Sequence, residues 1–494
     1  GFSQQYGYNY LTTYAPTIGK DSFRIVIIYI LKHNMLIEFY DYKYAFVEGY
    51  NDYRILGKLP KDLFPDQSED IIVEVIRSLY GEKQAAHIWY MRLKEILCEE
   101  MNFENLLHDE AIFVKRNERD EIRIIITVHV DDLLVATYTS EEQDEFMEEM
   151  KTHVRDIKRF EEAKKYLGVE IVKSYDTIYL KQENYIKDII KNLTRSEQEF
   201  IKDREYPLNP NYKITDIMDI NEETETLNIL SLIGKLRYVI DCTRIDAMAT
   251  LGMVSEHATE ATYSQVSAAF KLLSFLYTTR VLSLKLHANR ENDLTLFAFC
   301  DASHNVGNGK SRLGGVFYLS YESGPISCYS KKDIAVSNSA MEAEVRSIER
   351  TVRQIIIYRE LLEELGHKQL QPTIIYTDSE ASVRFFKHYR NSKKLRHIMK
   401  LIHTIRVAIN NRIIKLVYIK SEYNVADILT KILGKKDFNR LQEWILYGYN
   451  EMHLKYYIKE SNKKEQVNTM MELEDLNLID KEPEHQMIEE ENDD

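Results

Sequence analysis

ITVHVDDLLVA, residues 126–136, sets two carboxylates, Asp131 and Asp132, between two strongly apolar segments. IRIIITV before the pair and LLVAT after it read as two strands joined by a tight acidic turn, a hairpin. Adjacent anions repel strongly at a few ångströms, so such a turn is costly unless cations neutralise it. Most Asp-Asp pairs are solvated turns, but apolar strands on both sides weaken that reading here. Upstream, the apolar run MLIEFY (35–40) leads into Asp41, a third carboxylate at a strand end. Three acids so placed could hold two divalent cations between an attacking hydroxyl and a triphosphate. Phe46, five residues on, reads either as ordinary core or as a ring lying under a sugar.

The chain has 494 residues, enough for two or three separate cores. Its four cysteines, Cys98, Cys242, Cys300 and Cys328, are far apart and form no CxxC pair, which argues against a disulfide framework or a cysteine zinc site. No apolar run reaches the roughly 20 residues that span a bilayer, so no membrane partner is expected. The formal charge of −14 would argue against a nucleic-acid partner, but its distribution removes that objection. Residues 465–494 hold twelve acids against Lys481, a net −11, which leaves only −3 on residues 1–464. The tail reads as solvating, disordered chain.

Organisation changes along the chain. EEQDEFMEEMKTHV (141–154) has helical spacing, and YLGVEIV with DTIYLKQ suggests a short hairpin over 166–182. YIKDIIKNL, LSLIGKLRYVIDCTR and YSQVSAAFKLLSFLYTTR then give a packed helical connection to residue 280. From 294 come three strand-like runs, a long amphipathic helix (341–366), a strand, helices, the strand IIKLVYI and finally NVADILTK. That order predicts a mixed sheet with helices packed on it.

At these residues the sequence resembles the reverse transcriptase of copia-type LTR retrotransposons. GFSQQYGYNYLTTYAPT (1–17), DYKYAFVEG (41–49), SLYGEKQAAHIWY (78–90), VHVDDLLVA, YLGVEI (166–171) and SLIGKLRYVIDCTRIDA (231–247) resemble successive family motifs, in order and at family spacing. The resemblance implies that Asp41, Asp131 and Asp132 are the polymerase metal ligands and Phe46 the sugar gate. It also implies that Gly81 and Lys83 lie near the incoming nucleotide and template, and that 166–171 grips the primer end.

The last third is similar to the family's ribonuclease H. CDASHNVGNGKSRLGGVFYL (300–319), ISCYSKK (326–332), SNSAMEAEVRSI (337–348), IYTDSEAS (375–382), RHIMKLIHTIR (396–406) and NVADILTK (424–431) carry that likeness. It implies that Asp301, Glu344, Asp378 and Asp427 converge on two metals. Glu344 is preferred to Glu342, because in related nucleases the metal-binding glutamate directly precedes the apolar residue that opens the helix core; Glu342 suits the helix N-terminus. His397 and His403 read as packing or phosphate-binding residues.

The expected fold is mixed α/β: a reverse-transcriptase palm (1–173), a mainly helical thumb and connection (174–293), a ribonuclease H-like mixed sheet with flanking helices (294–435), and a C-terminal extension with an acidic tail (436–494). The implied cofactors are Mg2+ or Mn2+, two per site. Implied partners are an RNA template, a DNA primer, an RNA–DNA hybrid, dNTPs and the rest of a Pol polyprotein; the implied location is intracellular, a cytoplasmic virus-like particle with nuclear entry as an option. His129, Glu82, Arg159 and Ile245 depart from the family pattern. The chain also opens where a basic fingers segment is expected to end, which implies weakened extension. Alternatives are a remnant with ribonuclease H alone and a non-catalytic binding protein.

Overall fold

The computed structural model describes residues 2–63, 70–160, 165–212, 229–256, 258, 262–304, 310–388, 393–450, 452, 454–457 and 459. The acidic tail lies outside the described residues. No helix among them is long and apolar enough to cross a membrane.

The first helix, α1 (Lys20–Lys32), was not legible as one. Its residues from Phe23 to Leu31 are all buried, so the run FRIVIIYIL has no polar face and no period to read. β1 (Leu36–Tyr42) follows, then the short antiparallel pair β2 (Leu56–Lys58) and β3 (Ile72–Glu74), and α2 (Ala85–Glu95). β4 (Glu104–Asn105), β5 (Ile112–Arg116), β6 (Ile122–His129) and β7 (Asp132–Thr137) lead through α3 (Ser140–His153) to β8 (Ile157–Phe160). These strands form an antiparallel sheet in the order β4-β5-β6-β7-β1-β8, with the expected acidic hairpin at its middle. A Thr139/Glu142 capping box fixes where α3 begins.

β9 (Glu170–Ser174) and β10 (Thr177–Lys181) make the second hairpin, and the helices α4 (Glu183–Lys191), α5 (Arg195–Gln198), α6 (Ile229–Cys242), α7 (Met248–Val254) and α8 (Tyr263–Thr278) follow. β11 (Leu284–His287) returns to pair with β10, giving the sheet order β11-β10-β9. The expected boundary at 173/174 therefore falls inside β9, in a sheet that extends into the helical region.

β12 (Phe297–Ser303), β13 (Lys310–Tyr318) and β14 (Ser327–Val336) are antiparallel neighbours. α9 (Ala340–Glu364) crosses over to β15 (Thr373–Thr377), parallel to β12; α10 (Glu380–Lys387) and α11 (Met399–Asn410) then lead to β16 (Ile414–Tyr418), parallel to β15. The order β14-β13-β12-β15-β16 is the mixed sheet that the pattern from 294 predicts. α12 (Asp427–Thr430) and α13 (Lys435–Tyr447) close it. Here the expected boundary at 435/436 needs correction. Phe438 on α13 meets Phe275 of α8 at 5.5 Å, and Tyr449 stacks on Phe299 of β12 at 5.1 Å, so residues 436–449 complete a core instead of extending from it.

Candidate catalytic centres

The first acidic centre is set by strand register. Asp41 in β1 and Asp132, the first residue of β7, are cross-strand partners, and Asp131 sits in the two-residue turn between β6 and β7. That turn is held from two sides. Val130 takes a left-handed φ of 59°, unusual for a β-branched residue, and its carbonyl accepts a 2.8 Å bond from the Trp89 indole of α2. The Asp131 carbonyl accepts from the Tyr42 amide at 3.0 Å. Burial, with the nearby charges of Asp131 and Asp41, pushes the Asp132 carboxyl up to about 6.

Phe46 lies on the single 3-10 turn Ala45–Val47 that follows β1, edge-on to Tyr80 at 4.9 Å, and its carbonyl accepts from the Ser78 hydroxyl. Gly81 has a φ of +96°, which a side chain would resist. Lys83 is engaged by the N-terminal segment, through Gln4 O at 3.1 Å and the Tyr10 hydroxyl at 3.5 Å. Behind the centre, the turn Tyr166–Val169 is pinned by Tyr238 of α6, whose hydroxyl donates to Leu167 O at 2.6 Å. Gly168 is required there, since any Cβ would collide with that hydroxyl. Burial lowers the pKa of His129, one of the departures from the family pattern, against the opposing charge of Asp131, and its Nδ1 is buried without a partner.

The second centre is tighter. Asp301 in β12, Glu344 in the second turn of α9 and Asp378 just past β15 bring one carboxylate oxygen each within 4.8 Å of one another, the only such group among the described residues. Parallel pairing of β12 with β15 puts two of these acids at the same sheet end, and Ser347, one helical turn after Glu344, anchors α9 to the sheet by donating to Asp301 O at 2.9 Å and Gly314 O at 3.1 Å. Asp427 at the start of α12 stands beside this trio rather than inside it. It accepts from the Ser421 hydroxyl at 3.1 Å. Burial and the charge of Asp301 push its carboxyl up to about 7. Burial, with the charges of Asp301 and Asp378, likewise raises Glu344 well above the usual range, and Asp378 is raised by burial and Asp301. Glu342 is a different case. Burial would raise it, but Arg346, the Asn338 amide and His397 outweigh that and hold it down to about 2. His397 lies 2.8 Å from Glu342 and forms no part of the trio.

Three residues of this centre went unread in the sequence. Asn424 bridges Cys300 O and Asp378 at 3.1 and 3.4 Å. Thr430 donates its hydroxyl to Asp301, and Lys431 lies 2.9 Å from Asp427 and 3.4 Å from Asp301. The available signal was their spacing of three and four from Asp427, which shares a helix face. α12 reaches the sheet only because β13 carries Gly314, where a Cβ would come within 2.6 Å of Thr430 Cγ2.

The donor set suits hard divalent cations. It is all carboxylate oxygen, Glu344 Oε2 is buried with no hydrogen-bond partner, and an ammonium already sits at the rim.

Residues 1–202 match the family described as reverse transcriptase (RNA-dependent DNA polymerase). Those residues are a reverse transcriptase domain. Beyond the reverse transcriptase domain the likeness continues. The chain is 26% identical over 440 residues to the retrovirus-related Pol polyprotein from transposon RE1 of Arabidopsis thaliana, covering 89% of this chain and 29% of that protein. It is 25% identical over 455 residues to the corresponding polyprotein from transposon TNT 1-94 of Nicotiana tabacum, covering 90% and 33%. The chain thus spans about a third of the length of the curated relatives it matches. Among solved structures, a foamy viral protease-reverse transcriptase in complex with double-stranded DNA aligns over 80% of this chain and 59% of its own, with TM-score 0.42 and 13% identity. LC11-RNase H1 in complex with RNA/DNA hybrid aligns over 28% and 94%, with TM-score 0.23 and 16% identity.

Proposed function

We propose that this chain copies an RNA template into DNA at the centre of Asp41, Asp131 and Asp132, and cleaves the RNA strand of the resulting hybrid at the centre of Asp301, Glu344, Asp378 and Asp427. The observation that carries the reading is the trio Asp301, Glu344 and Asp378, whose ligand oxygens share one focus within 4.8 Å. Bound magnesium or manganese, two ions per centre, would supply the charge that activates a hydroxyl or water and steadies the leaving oxygen.

The protein's own part is placement. Asp41 and Asp132 are fixed by antiparallel register, so their separation is set by the sheet and not by loops. Phe46 would supply the ring that crowds a ribose 2′-hydroxyl, and Gly81 and Lys83 would flank the approach of nucleotide and template. The 166–171 segment, clamped by Tyr238, steadies the primer end. In the nuclease centre Ser347 and Asn424 hold the backbone of β12 at Asp301 and Cys300, and Asn424 also donates to the Asp378 carboxylate. The substrates are a DNA primer on an RNA template, dNTPs, and the hybrid formed from them.

A narrower reading, ribonuclease activity alone, is favoured by one observation: only the second centre gathers three ligand atoms. Hybrid with labelled RNA tests the nuclease half. Asp378→Asn should lower magnesium-dependent cleavage by several orders of magnitude with the fold intact, and persistent cleavage would remove the assignment.

A further inference from the structure

Lys431 follows directly on α12, four residues after Asp427. An i,i+4 pair on a helix surface is common and worth only a few tenths of a kcal/mol. Lys431 does more than that. Its ammonium lies 2.9 Å from Asp427 and also 3.4 Å from Asp301, an acid from the central strand of the sheet. Thr430, the residue before it, donates to the same Asp301 oxygen that Lys431 approaches. The side chain is about a third exposed, whereas Asp301 is almost fully buried, so the cation reaches into the cluster from its open rim. One ammonium does not balance four carboxylates, and Glu344 Oε2 stays buried without a partner.

We propose that Lys431 is a positioning residue of the nuclease centre: an internal cation that holds Asp301 and Asp427 together in the metal-free protein, yields Asp301 to divalent cations, and then faces the phosphates of the hybrid. Charge supports the exchange. Four formal carboxylates and one ammonium leave the centre anionic, and two dications make it net cationic by one charge, opposite in sign to a scissile phosphodiester. The ammonium is then repelled from the ions and attracted to the bound backbone, and its flexible stem permits the move.

This inference rests on the ribonuclease reading of the centre, and its test separates the two. Lys431→Met keeps the apolar stem and removes the charge; Lys431→Arg keeps the charge. In the full chain, Mn2+ binding followed by calorimetry should tighten roughly tenfold in Lys431→Met, because a competing cation is gone, and stay near wild type in Lys431→Arg. The melting temperature of Lys431→Met should fall in EDTA and recover in saturating Mg2+. Hybrid KM should rise more than kcat changes, with the slope of log affinity against log salt reduced by about one. Unchanged or weaker Mn2+ binding by Lys431→Met, with an unaltered salt slope, overturns the proposal. If Asp378→Asn abolishes cleavage while Lys431→Met shifts none of these quantities, the site stands and the role of Lys431 falls. If Asp378→Asn still cleaves, the reading of the site falls with it.

Discussion

Asp427 and Asp132 are held back from ionising, the first up to about 7 by burial and Asp301, the second up to about 6 by burial, Asp131 and Asp41. In the unfolded chain both return to an ordinary value near 3.8. The folded state therefore favours their neutral forms. Their contribution to stability is complete below about pH 4 and is lost as pH rises through 6 to 7. Metal-free protein should melt at progressively lower temperature from pH 5 to pH 8 on this account, Asp427→Asn should flatten that slope, and saturating Mg2+ should flatten it further. A slope identical in Asp427→Asn would contradict the assignment. At this scale the sequence was informative about residue type and poor about partners. The apolar residue after Glu344 was enough to prefer it to Glu342, and the two do sit apart, one with Asp301 and Asp378, the other with Arg346 and His397. Lys431 and Thr430 fall inside the NVADILTK motif without a partner to read, because their contact with Asp301 joins the end of α12 to β12, far apart in sequence, and no local spacing reports it.

Elements that alternate or show a helical period were legible, and those buried on every side were not. The hairpin around Asp131 announces itself through alternation and a two-residue turn, whereas α1 has nine consecutive buried residues and no face to read. Close approach is equally silent until structure shows it. Gly314 looks like one of two glycines in an ordinary strand, yet α12 lies against it so closely that a Cβ would come within 2.6 Å of Thr430 Cγ2 and 3.2 Å of Ala426 O. Gly314→Ala should push α12 outward with Asp427 and Lys431 on it. Misplacement of about 1 Å can cost on the order of 10²-fold in rate, so hybrid cleavage should fall by at least tenfold while primer extension is kept. Full cleavage by Gly314→Ala would mean that the helix does not need that approach.

The molecule is joined through α1, and no reading of separate sequence blocks predicts that joint. Arg24 is buried and donates to Asp241 O at 2.8 Å, Cys242 O at 3.0 Å and Ile326 O at 3.2 Å, tying the palm to α6 and to the approach to β14. Asp21 accepts from Ser327 at 2.7 Å and from Tyr358 of α9, and Lys32 donates to Arg290 O and Asn292 O. Long-range side chains of this kind carry no signal in local composition. Arg24→Met takes the donor from three carbonyls, two of them in buried bonds, at about 1–3 kcal/mol for each buried one where no water replaces the donor. Calorimetry should show a clearly lower melting temperature for that variant, and an unchanged one would show that α1 does not join the two sheets energetically. Independence of the two proposed phosphoryl-transfer centres is tested most directly by extension and RNA cleavage followed together on one primer–template with labelled RNA. Asp132→Asn should lose extension and keep cleavage of a preformed hybrid, and Asp378→Asn should keep extension and lose cleavage; either variant losing both activities, or neither, would contradict it.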